Sequence, residues 1–259
     1  ARLYIKWLND LKDRQEDKGR IPAYSPRQAN FPTHWDAPPW TISIALIPWY
    51  MYQFYDDRRI LEENYPAMTL WLRGVEARKG IEGRPYIVEG GASDWAAPQE
   101  VHPMKEGSLF WGTLFYFYSA YLMARIATEL GHNQDAEEFS DLARRIREVF
   151  NETFFDSNNG YYKVEKHTVY RQSANIVPLF FNIVPVGYRD RVIDSLIYDI
   201  KVTNNNHLST GIVGTRYLMD VLPLISHNEL AYTLLTQKTF PGWGYPILEL
   251  DATSVWEYW

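Results

Sequence analysis

The sequence predicts an all-α fold, a toroid of helical hairpins in two concentric layers with short β-hairpin excursions in its loops. Three observations predict it. Apolar residues recur at helical spacing over most of the 259 residues. Nearly all-apolar segments (41–55, 108–130, 172–184, 209–222) alternate with amphipathic ones (58–79, 134–153, 189–200, 226–237). Irregular stretches rich in Gly, Pro and Trp fall between the pairs. An inner layer touches protein on nearly all sides, whereas an outer layer keeps one wet face, so two nested helical layers give this alternation. No motif repeats at a period of 20 to 50 residues, which argues against a solenoid.

Element by element, Leu3, Trp7, Leu8 and Leu11 open the chain inside a helix that Gly19 and Pro22 end. Residues 24–39 read as an ordered loop rich in Pro and aromatics. The third helix begins near Asp57 and keeps its period through Ile60, Leu61, Asn64, Tyr65, Met68, Trp71, Leu72 and Val75, exposing Arg58, Glu62, Arg73 and Arg78. Residues 80–107 are irregular. The run from Ser108 fits a buried helix ending at Gly131, and Phe139, Leu142, Ile146, Val149 and Phe150 form the stripe of the next helix. FFDSNNGYYKV reads as a small hairpin around an Asn-Gly turn. A last helix is expected to form after Asp251.

Composition narrows the functions available. The chain is 46% apolar and 22% charged, as in globular proteins, and a single domain spanning 1–259 is long enough for a large core. A net charge of −6 with no basic stripe argues against a nucleic-acid partner. The absence of Cys excludes thiol nucleophiles and thiolate metal sites. His34, His102, His132, His167, His207 and His227 have neither HxH nor HExxH spacing, and FFDSNNGYY has too few acids for a calcium loop, so no metal or other cofactor is implied. No run of eighteen apolar residues predicts membrane insertion, and no leader is visible; a soluble protein is expected, cytoplasmic or exported with its leader removed.

Aromatic content is the outlier, at ten Trp, nineteen Tyr and twelve Phe. Flat apolar faces with polar tips suit a carbohydrate cleft, although a Trp-rich helical core uses the same residues. Four stretches combine acids, glycines and tryptophans outside the helical pattern: PPWTIS around Trp40, GGASDW around Asp94 and Trp95, FPGWGYP around Trp243, and DATSVWEYW around Glu257. Glycoside hydrolysis needs two carboxyl groups, and one flanked by indoles is shielded from water and tuned by its neighbours. Glu257 is the candidate for that chemistry, with a solvated helix charge as the plain alternative. Asp94 reads either as a site residue or as a helix N-cap or turn residue. Trp243 sits in a Gly-Pro loop, where a large rigid side chain seldom reaches a helical core.

Several runs together resemble the bacterial α-L-rhamnosidases of glycoside hydrolase family 78. They are PWYMYQFYDDRRILEENYPAMTLWL, SDW, VYRQSANIVPLFFNIVP, HLSTGIVGTRYLMDVL, ELAYTLLTQKTFPGWGYPI and DATSVWE, in the family's order and over nearly the whole chain. The resemblance implies an (α/α)6 barrel and an inverting exo-glycosidase that removes terminal α-L-rhamnose. Glu257 matches the general base; Asp94 and Trp95 match an Asp-Trp pair near the bound sugar; Trp40 matches a loop tryptophan of the cleft, and Trp243 a site-shaping loop.

The departures carry information too. The family's acidic stretch bearing the general acid precedes the segment matching Ala1, so the acid is expected outside this chain, which looks like an incomplete piece with fewer helices than six hairpins need. Asp57, Asp94 and Glu249 could supply an acid by chemistry, but no spacing favours one. Asp251 stands where the family favours Gly, and Ile42 where an acid is common. The alternatives are an (α/α)6 glycosidase of another sugar specificity or a catalytically inactive carbohydrate-binding module.

Overall fold

The computed structural model describes residues 2–26, 37–78, 83–90, 93–98, 107–165 and 169–256. Those residues form helices and one two-stranded hairpin, in two compact units. The first unit comprises Ala1–Gly91 and Ser108–Phe150, the second Ala92–Gly107 and Asn151–Trp259.

The first unit begins with α1 (Arg2–Lys12), followed by the four-residue α2 (Pro38–Thr41), α3 (Ser43–Tyr55) and α4 (Arg59–Glu76). Asp56 turns the chain between α3 and α4 with φ of 53°, a left-handed conformation that Asp tolerates better than most residues. α4 is one-sided, as expected: all eight residues of its apolar stripe are buried, and Arg58 and Glu62 are exposed. Arg73 is only half-buried and forks onto Glu138 at 2.6 and 2.9 Å. α5 (Ser108–Leu130) is buried round most of its circumference, from Phe110 to Ala127. α6 (Asn133–Phe154) buries Phe139, Leu142, Ile146 and Phe150, and the Phe150 ring meets that of Phe110 at 5.1 Å.

The second unit opens with the expected hairpin, β1 (Phe155–Asp156) against β2 (Tyr161–Tyr162), antiparallel with Phe155 opposite Tyr162. Asp156 Oδ1 accepts the N–H groups of Asn158 and Asn159 at 3.0 and 3.1 Å, and Gly160 closes the turn at φ of 73°. α7 (Ser173–Phe180) is buried from Ser173 to Leu179 and packs on α9 (Ile212–Leu224). Between them α8 (Arg189–Tyr198) runs into a π-helical segment, Asp199–Thr203. α10 (Asn228–Leu235) and α11 (Gly244–Glu249) follow.

The alternation of all-apolar and amphipathic helices is therefore present, with shifted ends. α7 stops four residues before the expected Val184 because Asn182 turns left-handed at φ of 53° and Ile183 N–H bonds back to Pro178 O at 3.1 Å. The helix expected after Asp251 is absent through Trp256. Asp251 itself is left-handed, at φ of 53°, and Ala252 N–H returns to Pro246 O at 3.0 Å, so the polar turn ends α11 and starts no helix among the described residues. α11 was not expected: FPGWGYP reads as a loop, yet its last residues wind into two short turns.

Candidate active site

Asp94 and Trp95 lie together in the second unit, fastened to the start of α9. Gly211 is the N-cap of α9 and brings no side chain to the unpaired N–H groups of the first turn. Asp94, more than a hundred residues upstream, supplies one. Its Oδ2 accepts the Ser173 hydroxyl and the Gly211 N–H, the latter at 2.7 Å, and its Oδ1 accepts Gly214 N–H at 2.9 Å. The backbone takes part as well: Ile212 N–H donates to Trp95 O at 2.8 Å. Burial pushes the Asp94 carboxyl above its ordinary 3.8, while hydrogen bonds from Ser173, Gly214, Gly211 and Val213 pull the other way. The helix terminus also favours the anion electrostatically.

Asp94 is the N-cap of no helix: it sits in a bend, and its carboxylate accepts N–H groups at the start of α9, whose N-cap is Gly211. TGIVGT acquires a physical reading from the same contacts. A Cβ on Gly211 would stand 2.6 Å from Asp94 O, and one on Gly214 would stand 2.7 Å from Ser173 Cβ. Both positions need glycine for close approach, not for an unusual φ.

Trp243 caps α11 in the same unit and faces the segment leading to Glu257. Trp243, Pro246, Ile247, Trp256 and residues 252–255 line an apolar cavity of about 300 Å³, at the small end of ligand sites. The loop is pinned from outside by Gln237, whose carbonyl O accepts Gly244 N–H at 3.0 Å and whose Nε2 donates to Asn206 O at 3.1 Å. His207 Nε2 meets Thr239 Oγ1 at 2.8 Å. Asp251, standing where Gly was expected, holds the left-handed conformation that explains the preference and that Asp can also adopt. Glu257 lies outside the described residues, as do Tyr258 and Trp259.

Trp40 belongs to the first unit, half-buried on α2 rather than in a loop. Pro38 and Pro39 occupy the first two positions of that turn, where a missing N–H costs nothing. Ile42 is 2% exposed, so the position where an acid was expected is a core position in this chain.

Sequence reasoning placed the start of α7 at Gln172 but gave no part to Gln172 or Ser173. Gln172, fully buried, accepts Ser209 N–H on Oε1 at 2.8 Å and donates through Nε2 to Asp199 Oδ2 at 2.9 Å. Asn204 Nδ2 holds the same Asp199 oxygen at 2.7 Å, and burial raises that carboxyl against both hydrogen bonds. Two adjacent residues, Gln172 and Ser173, therefore secure the approach to the Trp243 loop and the Asp94 loop respectively. The available signal was polar Gln-Ser heading an otherwise apolar helix. Among the described residues no group of three or more His, Asp or Glu is placed to hold a metal ion, and no helix is long and apolar enough to cross a membrane.

An all-α scaffold with Trp-bearing loops at helix N-termini is the architecture of the helical-hairpin glycosidases. The chain belongs to the family described as the bacterial alpha-L-rhamnosidase 6 hairpin glycosidase domain, which it matches over residues 1–259. Its fold class is accordingly the all-α six-hairpin toroid. It is 37% identical to an alpha-L-rhamnosidase of Streptomyces avermitilis over 100% of this chain and 23% of that protein. Among solved structures, the alpha-L-rhamnosidase from Dictyoglumus thermophilum superposes with a TM-score of 0.89 at 32% identity, covering 99% of this chain and 28% of that one. The Streptomyces avermitilis alpha-L-rhamnosidase complexed with L-rhamnose gives 0.84 at 35% identity, covering 100% and 23%. The chain spans between 23% and 28% of the length of these relatives.

Proposed function

We propose that these residues are part of a single catalytic domain of an inverting exo-α-L-rhamnosidase, which releases terminal L-rhamnose from glycosides, oligosaccharides or polysaccharides. The observation that carries the reading is the match of the whole chain to a rhamnosidase structure complexed with L-rhamnose, at a TM-score of 0.84. The apolar cavity between Trp243 and Trp256, one residue before Glu257, supports a sugar at that end of the molecule.

In the proposed mechanism Glu257 takes a proton from water, whose oxygen attacks the anomeric carbon as the bond to the aglycone oxygen breaks. A general acid supplied from outside this chain protonates that oxygen. Inversion follows because water enters on the face opposite the leaving group, which requires a separation of about 6.5 to 9.5 Å between the two carboxyl groups. Trp95 and Trp243 furnish apolar surface against the sugar ring, and Asp94 belongs to the sugar-binding side through the segment it holds.

A panel of nitrophenyl glycosides tests this with the full-length protein. Turnover of the α-L-rhamnoside and of no other sugar is expected. Turnover of another glycoside alone would transfer the scaffold to a different sugar, and rhamnoside binding without turnover would make it a binding module.

A further inference from the structure

We propose that Asp94 and Ser173 are a positioning pair, which sets Trp95 against the sugar by fastening residues 93–96 to the N-terminus of α9. What Trp95 touches rests on the function proposed above; the fastening rests on the geometry alone.

The acceptor count comes first. An ionised carboxylate offers about four lone-pair sites. Asp94 is met by three donors: the Ser173 hydroxyl and the N–H groups of Gly211 and Gly214. Both of its oxygens are thus engaged by protein, and Trp95 beside it is only half-buried.

The attachment is double. Asp94 is held through its side chain, and Trp95 through its carbonyl O, which accepts Ile212 N–H at 2.8 Å. Directly after Trp95, Ala96 is 1% exposed and left-handed at φ of 61°, an uncommon conformation for a residue with a Cβ. A backbone bent this way persists where surrounding contacts hold it, and such bends gather at ligand sites. Ser173 is 4% exposed and is the first residue of α7, the helix that packs directly on α9. The pair therefore ties one loop to two packed helices at the point where both begin.

A cap serving stability alone would leave substrate affinity unchanged, so the test reads KM. In the full-length protein, kcat and KM are measured for Asp94→Asn, Ser173→Ala, Trp95→Phe and the double variant Asp94→Asn/Trp95→Phe, on whichever nitrophenyl glycoside the protein turns over. Loss of positioning removes binding shared by ground and transition states, so Asp94→Asn and Ser173→Ala should each raise KM roughly ten-fold with kcat changed by less than about three-fold. Because the effect passes through Trp95, the double variant should bind no worse than Trp95→Phe. Additive effects would mean that Asp94 contacts the sugar itself and would overturn the proposal. Unchanged KM in either Asp94→Asn or Trp95→Phe would overturn it too.

Hydrogen exchange separates this from the choice of substrate. Both Asp94→Asn and Ser173→Ala should accelerate exchange in residues 93–96 and 211–214 together, whether or not any glycoside is hydrolysed. Unaltered exchange in 93–96 would end the proposal even if rhamnoside hydrolysis were established.

Discussion

Asp94 Oδ1 accepts the Gly214 N–H at 2.9 Å across 120 residues of chain. The bond joins two stretches, SDW and TGIVGT, that sequence reading picks out separately, and it shows why both are restricted in composition. The first supplies an anion to a helix start that has no cap of its own. The second keeps that start bare enough for the anion to arrive.

Gly211→Ala should break this arrangement. The added methyl would stand 2.6 Å from Asp94 O and closer still to Trp95 O, both backbone atoms that cannot swing aside. Forcing a methyl into such a site costs about 1 to 3 kcal/mol. Urea unfolding should show a lower midpoint, and KM should rise with it.

The core of the first unit offers a plainer test. Phe110 and Phe150 are both 0% exposed with ring centroids 5.1 Å apart, whereas Phe54 is 80% exposed. Phe110→Ala should destabilise by about 3 to 5 kcal/mol. Phe54→Ala should stay within about 0.5 kcal/mol of the parent. Denaturant titration of the two variants checks the contrast.

How much of this was legible follows from particular chain ends. Three helices finish on the same motif, with Gly131, Asn182 and Ser226 in the left-handed position and the next N–H returning to Ala127, Pro178 and Leu222. Only Gly131 announces the motif by its residue type, and only that end was placed correctly. α9 starts at Ile212 rather than the expected Ser209 because Ser209, Gly211 and Ile212 give their N–H groups to Gln172, Asp94 and Trp95. Those partners are distant in sequence, so no local pattern could report them. Periodicity carried the helix alternation well, since burial on all sides or on one is written into every turn. Motif reading found the Asp94 and Trp243 loops but not Gln172 or Ser173, whose part depends on what α7 packs against.

Acid should loosen the β1–β2 hairpin. The Lys163 ammonium, with the Asn159 amide, holds the Asp156 carboxyl well below its ordinary 3.8. A depressed folded-state value means that this contribution is complete above about pH 3.8 and is lost as pH falls below it. Asp156→Asn should therefore lower the thermal midpoint more at pH 6 than at pH 2. An equal effect at both values would show that the charge is not what holds the turn.

The role proposed for Glu257 is to activate water for attack on a rhamnoside. Replacing the general base removes proton transfer while preserving shape, and such losses are on the order of 10² to 10⁴ in rate. The measurement is kcat of the full-length Glu257→Gln variant on nitrophenyl α-L-rhamnoside, with L-rhamnose binding followed in parallel. A fall of that size with binding retained is expected; a variant that turns over at the parent rate would show that Glu257 is not the base.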